Sequence, residues 1–469
     1  MTSVLELSAA DLARRIRARQ VSAVEATSEV IAAAKRAHGR LNCFVRIDEE
    51  AALAAARAAD AGIASGALRT PLAGVPMAHK DMYYREGVAS SCGSKIARDR
   101  PASATATALK RLDAAGAIQF GVLNMNEFAY GPTGHNWHFG HCRNAWHPDY
   151  ITGGSSSGSG TSVAARANFA ALGSDTGGSI RLPAHFCGVT GIKPTYGRVS
   201  RFGAMPLSFS LDTLGPLART VEDCAAVLGT IAGADPADPT ASRRPVPDYL
   251  GGLERPVKDL RIGVPQGFFY DGIDRAIEKL MRDSLETFRS LGCELVEVAM
   301  PGIEAWNQAA VAIITSEATA LHANWLRERP QDYSEQVRAR LELGAAVGAV
   351  QYVNALRLRG AALRTWNSQV MSRVDALHAP CVAFATPTIA ETDVGGGPKM
   401  AEVLAQATRL MRPANYLGLP ALAVPCGFQD YGLPCAFQLI GRAFDEALLF
   451  RLGHAYQRAT GWHTKAPMQ

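Results

Sequence analysis

The sequence predicts an α/β protein organised as one large domain. Three observations carry that prediction. Ala-rich helical stretches alternate with short apolar runs; 48% of residues are hydrophobic against 19% charged; and no linker, internal repeat or low-complexity tail interrupts the 469 residues. Such alternation belongs to helices layered on a sheet, and the composition supports a large core. Residues 1–65 read as helices. "SAAD" from Ser8 and "SAVE" from Ser22 each place a hydroxyl three residues before an acid, the capping-box arrangement. "VEATSEVIAAAKRA" then brings Val24, Val30 and Ile31 near one face, and "EEAALAAARAAD" makes a further helix. "LAGVPMAHKDMYY" reads as a buried strand opening onto a loop. "TATALKRLDAAGAIQFGVLNMNEFAYG" reads as helix, strand and loop, and "TSVAARANFAALGSDTGG" repeats that order, its Ala-rich helix feeding a small-residue turn. Next come the strand "LRIGVPQGFF", the helix "IDRAIEKLMRDSLETFRSLG" and the strand "CELVEVAM". Residues 300–375 read as mostly helical. Their aromatics, Trp306, Trp325, Tyr333, Tyr352 and Trp366, suit a core, with some available to a substrate pocket. "VAFATPTIAET" and "LPALAVPCGF" close the α/β pattern before a last helix near "DEALLFRLGHAYQRAT".

The formal net charge of +5 is small for this length, and no dense Lys/Arg stripe accompanies it. That argues against a dedicated nucleic-acid binder. Nine cysteines are scattered singly from Cys43 to Cys435 with no CxxC pair, which suits a reducing compartment. The opening residues lack a signal-peptide layout, and no apolar run reaches the ~20 residues needed to span a bilayer. A cytoplasmic protein without membrane attachment is the expectation.

Chemistry concentrates in two stretches. In "LGSDTGGSIRLPAHFCG", glycines beside Ser179 permit a tight turn in which the N–H groups of Thr176, Gly177, Gly178 and Ser179 converge. Such a nest can hold the oxyanion formed when an acyl group is attacked, although a plain structural turn has the same composition. The second stretch, "ITGGSSSGSGTS", has the composition of a linker but leads straight into the apolar "VAARANFAAL". It lacks the lysine of a phosphate-binding GxxxxGK[ST] loop. What remains is a hydroxyl-rich loop at a helix start. A serine nucleophile needs a proton acceptor. His79, Lys80 and His185 all stand near enough in sequence, and the residues alone do not choose among them.

"GVPMAHKD" from Gly74, "GGSSSGSG" from Gly153 and "GSDTGGSIRLPAHFCGVTGIKPTYGRVSRFG" from Gly173 together resemble the amidase signature family of serine hydrolases. "NMNEFAYG" and the C-terminal "LPALAVPCGF" region extend the resemblance over most of the chain. It implies a mixed twisted β-sheet covered by helices on both faces, in one domain spanning 1–469, with residues 66–230 as the catalytic core. It also implies a Ser–cis-Ser–Lys triad of Ser179, Ser155 and Lys80, with an oxyanion hole at Thr176, Gly177 and Gly178. Ala129, Ser157, Ser174, Asp175 and Arg181 fall in supporting or substrate-binding positions. This chain has Ser157 where glycine is usual and "GT" at Gly160–Thr161, departures that bear on pocket detail and leave the triad positions untouched.

The implied reaction is hydrolysis of a small-molecule amide through an acyl-enzyme, with no metal or cofactor and with a homodimer as a compatible assembly. A lysine base predicts activity rising from neutral into alkaline pH. The alternatives are the glutamine-hydrolysing A subunit of a tRNA-dependent amidotransferase and a urea- or carbamate-type hydrolase. A remoter one is a metal-binding module using His135, His138 and His141, which recur every third residue in a Gly/Pro/Asn-rich loop.

Overall fold

Eleven strands line up in one mixed sheet flanked by helices. The computed structural model describes residues 3–467. In chain order the strands are β1 (Phe44–Ile47), β2 (Pro76–Lys80), β3 (Ile118–Leu123), β4 (Ala170–Asp175), β5 (Thr190–Lys193) and β6 (Thr213–Ala218). They continue with β7 (Arg261–Pro265), β8 (Glu294–Val298), β9 (Ala376–Pro380), β10 (Ala421–Phe428) and β11 (Pro434–Ile440). Their spatial order is β1-β3-β2-β4-β6-β5-β10-β11-β9-β7-β8. β2 runs parallel to both β3 and β4, and β7 runs parallel to both β8 and β9; the remaining pairs are antiparallel.

The helices follow local signals. Ser22 and Glu25 form both halves of a capping box ahead of the helix Ala23–Leu41, whereas Ser8 caps only the Asp11 N–H. The helix Arg275–Ser290 lies where the sequence places it and packs against β8 to β11. The helix Val221–Ile231 packs against β4, β5 and β6.

The structure differs from the sequence reading at three places. Residues 1–65 contain the edge strand β1. The expected helix "VAARANFAAL" is split: a helix runs over Ser157–Ala164, Arg166 turns the chain at φ 54°, and Ala170–Asp175 is strand β4. The strand before "VAFATPT" begins upstream, at Ala376. Strands buried on both faces show no alternation, and in Ala/Gly-rich chain they look like helix or turn. β4, β5 and β6 are buried at every position, as are β9 and β11.

The hydroxyl-rich stretch is not a linker. Every residue of the helix Ser157–Ala164 is buried. A Cβ at Gly158 would lie 2.3 Å from the Cys43 carbonyl oxygen, so only glycine lets this helix approach the β1 chain so closely.

Candidate active site

Lys80 ends β2 and Ser174 lies near the end of β4, its parallel neighbour, so the two side chains meet at the carboxyl edge of the parallel strands. Such edges are where open α/β sheets place ligands. Lys80 is fully buried, and its Nζ lies 2.7 Å from Ser155 Oγ, 2.9 Å from Ser174 Oγ and 3.1 Å from Ser156 Oγ. Burial lowers the Lys80 pKa to about 7, against the opposing pull of Asp212 and Asp175. A large neutral fraction therefore exists near neutral pH, with three hydroxyls around the nitrogen. The alkaline rise expected of an ordinary lysine moves down to neutrality.

Ser155 follows a cis Gly154–Ser155 peptide bond and is fully buried. Its loop is tied to the next one, since the Ser156 N–H donates to the Ser179 carbonyl at 3.3 Å. Ser179 is buried but for 8% of its surface and lines a small, half-open cavity. Its hydroxyl makes no hydrogen bond among the described residues. Lys80 and Ser155 thus form a dry floor, and Ser179 stands at the edge open to a ligand.

Asp175 shapes the turn that carries Ser179. Its carboxylate accepts from the backbone N–H groups of Gly178 (2.8 Å) and Ile180 (3.2 Å), and from Arg181 Nε and Nη2 at 3.0 Å each. Burial alone would raise its pKa, but the Arg181 guanidinium, with Lys193 and Asn415, holds it well below the usual carboxylate range. Arg181 is saturated by Asp175, Gln438, Asn415 and the Met411 carbonyl. It braces the turn and is not free to meet a substrate. Gly178 departs from expectation too: its φ of 122° suits glycine, but Asp175 takes its N–H, which removes it from the oxyanion donors in this state. The N–H groups of Thr176, Gly177 and Ser179 have no acceptor among the described residues, and all three residues line the cavity.

The histidines are placed elsewhere. His79 points to Gln119 (3.2 Å), and His185 accepts from the Ala436 N–H (3.1 Å). Burial lowers both to about 4, and neither bonds a serine of the site. In the His loop, His135 meets Thr392 at 2.9 Å, His138 meets Glu127 at 2.7 Å and His141 meets Asp393 at 3.2 Å. These imidazoles clasp the loop to its neighbours; no group of three potential metal ligands occurs among the described residues.

Ala129 lines the cavity, at φ 59°, and Ser157 donates to the Asn124 carbonyl at 3.3 Å, outside it. Sequence reasoning passed over Ser156, although the serine run displays it. It also passed over Tyr130, Val311, Ile314, Arg340 and Arg412, which complete the wall. None of the five aromatics singled out in residues 300–375 lines this cavity.

The profile of the family described as Amidase matches residues 25–450. This chain belongs to the amidase family. Within it, the chain is 40% identical to the glutamyl-tRNA(Gln) amidotransferase A subunit of Roseiflexus sp. (strain RS-1), covering 100% of this chain and 99% of that protein. Among solved structures, it matches a chain of a vestigial protein complex that reveals the evolutionary origins of an s-triazine catabolic enzyme. That match has 36% identity and a TM-score of 0.90, over 97% of this chain and 99% of the other. It also matches a peptide amidase in complex with the competitive inhibitor chymostatin, with 31% identity and a TM-score of 0.87 over 99% of each chain. The chain is thus an amidase-family hydrolase acting on C–N bonds. No helix among the described residues is long and apolar enough to cross a membrane.

Proposed function

We propose that this amidase hydrolyses the amide bond of a small molecule through an acyl-enzyme on Ser179. The contact that supports this reading most is Lys80 Nζ to Ser155 Oγ at 2.7 Å, with both residues fully buried and the loop of Ser155 tied to that of Ser179 through the Ser156 N–H. Neutral Lys80 takes the Ser155 proton as Ser155 takes that of Ser179, and Ser179 Oγ bonds to the amide carbon. The oxyanion rests on the Gly177 and Ser179 N–H groups. When the C–N bond breaks, Ser155 returns a proton to the leaving nitrogen and is reprotonated by Lys80; an unprotonated amide nitrogen is a very poor leaving group. Water then enters by the same relay and releases the acid. Ser174 and Ser156 hold the lysine in place, and Asp175 with Arg181 fixes the turn.

The test is mass spectrometry of the protein treated with a fluorophosphonate, alongside turnover of a panel of small amides. One adduct on Ser179 is expected, and Ser179→Ala should lose both adduct and turnover, by about 10⁶-fold for turnover. A folded Ser179→Ala protein that keeps more than a hundredth of the activity defeats the assignment.

Full-length identity to amidotransferase A subunits favours a second reading, glutamine hydrolysis with ammonia passed to a partner. It predicts that the isolated chain releases ammonia from glutamine only weakly and is stimulated by a companion B subunit. The small-molecule reading predicts full turnover by the chain alone.

A further inference from the structure

We propose that Glu127 is a positioning residue: by holding Ser334, it sets the Ala129, Tyr130 and Arg340 side of the cavity against Ser179. The proposal rests on the acyl-enzyme reading and adds to it a residue that does not touch the substrate. Glu127 belongs to "NMNEFAYG"; it is buried and does not itself line the cavity. Its carboxylate gathers groups from three separate parts of the chain. Oε1 accepts from Ser94 Oγ at 2.7 Å and lies 2.7 Å from His138 Nε2. Oε2 accepts from the Ser334 N–H at 2.9 Å and from the Ser334 hydroxyl. A buried carboxylate is costly unless it is paired in this way, and hydrogen bonds to a charged acceptor are the strong ones.

Ser334 is the N-cap of the helix Glu335–Ala345, yet its hydroxyl caps no N–H of that helix and is given to Glu127 instead. The Glu127 carboxylate thereby sits at the positive end of the helix. Further along the same helix, Arg340 donates through Nη1 to the Tyr130 carbonyl at 2.8 Å, with its guanidinium carbon 3.5 Å from the centre of the Tyr130 ring. Two short segments, 127–130 and 334–340, are therefore joined at both ends, once behind the cavity and once in its wall. What lies between needs holding. Phe128 and Ala129 both have left-handed backbone, at φ 49° and 59°, which residues with a Cβ seldom adopt and keep only where their surroundings over-determine it. The Phe128 ring is caged by His322, Trp325 and Tyr333, with ring centres 4.5, 5.6 and 5.8 Å away. Tyr333 directly precedes Ser334, and His322 and Trp325 share the helix Ile303–Glu328 with the wall residues Val311 and Ile314. Cage and carboxylate thus fix one turn, the turn that delivers Ala129 and Tyr130 to the cavity. No hydrogen bond joins the Glu127 side chain to Lys80, Ser155 or Ser179, so its loss should move the wall and spare the floor.

The experiment compares the rates at which two neutral reagents, methanesulfonyl fluoride and phenylmethanesulfonyl fluoride, label Ser179. The first needs little beyond the floor, whereas the second must lay its ring against the wall. In Glu127→Gln and in Ser334→Ala the methyl rate should stay within about threefold of wild type. The ratio of phenyl to methyl rates should fall by about tenfold or more, since a displacement near 1 Å can cost about 10²-fold. The double variant should be no worse than the worse single one, because both changes break one joint. Hydrogen exchange should quicken together over residues 128–131 and 335–345 in each variant, with β2 and β4 unchanged. An unchanged ratio in the folded variants overturns the proposal, as do methyl and phenyl rates that fall alike, single effects that multiply, or exchange that quickens everywhere or in neither segment. Thermal melts check folding; should Glu127→Gln not fold, Ser334→Ala, which removes one hydroxyl, decides. If neither reagent labels Ser179 in the wild type, it is the acyl-enzyme reading that fails, and the exchange experiment decides Glu127 by itself.

Discussion

The floor and the wall of this site are built on different terms. The floor comprises Lys80, Ser155, Ser156, Ser174 and the Asp175–Arg181 pair. It sits on strand ends and two tight loops, is closed to water, and has its polar groups joined to one another. The wall draws Val311 and Ile314 from one long helix, Arg340 from the next and Arg412 from a short helix far along the chain, and it keeps guanidinium donors unused. Fully satisfied polar networks fix one geometry, whereas groups left unpaired in a cavity are answered only when a ligand arrives. In the proposed reaction the floor moves the protons and the wall meets the substrate.

That contrast breaks most decisively at Lys80. Lys80→Ala should lower kcat by about 10²–10⁴-fold or more, and Lys80→Arg should fail comparably, because a guanidinium stays protonated and cannot accept the serine proton. In the wild type, the acylation rate should fall as pH drops through about 7, where Lys80 gains its proton, and level off above it. A limb near 4 would instead indicate His79 or His185. The pH profile of single-turnover acylation separates these cases.

The next effect is structural. Asp175→Asn removes the charge that answers Arg181 and weakens the acceptor for the Gly178 and Ile180 N–H groups. Breaking a buried pair on one side costs about 3–5 kcal/mol, so chemical denaturation should show a large loss of stability, with turnover falling as the Ser179 turn loosens. Unchanged stability would mean that the floor is not braced in this way. The smallest effect belongs to the wall. Val311→Ala removes two methyl groups from the cavity and should raise KM by up to about tenfold with kcat held. A fall in kcat with KM unchanged would place Val311 in the chemistry rather than the wall.

Much of the floor was legible in the chain because each piece is a contiguous motif whose composition has few other uses. "DTGGS" announces a tight turn, and "GGSSS" opening on an apolar helix argues against a linker. The edges of that reading failed for physical reasons. The motif makes Gly178 a donor to an oxyanion, but the neighbouring Asp175 carboxylate competes for its N–H. Arg181, by contrast, stands in a supporting or substrate-binding position by sequence, and the supporting role fits, because the same carboxylate and the Gln438 and Asn415 side chains, far away in sequence, consume its donors. β5 and β6 went unread because burial on both faces erases the period by which strands announce themselves.

By itself, then, the sequence determined the α/β alternation, the well-capped helices, and the residue types and loops of the candidate site, since these depend on neighbours within a few positions. The tertiary structure alone decided which of three basic side chains meets a serine of these loops: Lys80 bonds Ser155, whereas His79 turns to Gln119 and His185 to the Ala436 N–H. It likewise decided that Lys80 titrates near neutrality, since desolvation belongs to the packed site and not to the residue. The arginine pair is the extreme case. Arg340 and Arg412 stand in ordinary helical sequence, and only long-range packing brings both to the cavity that Ser179 lines, where no acidic side chain joins them.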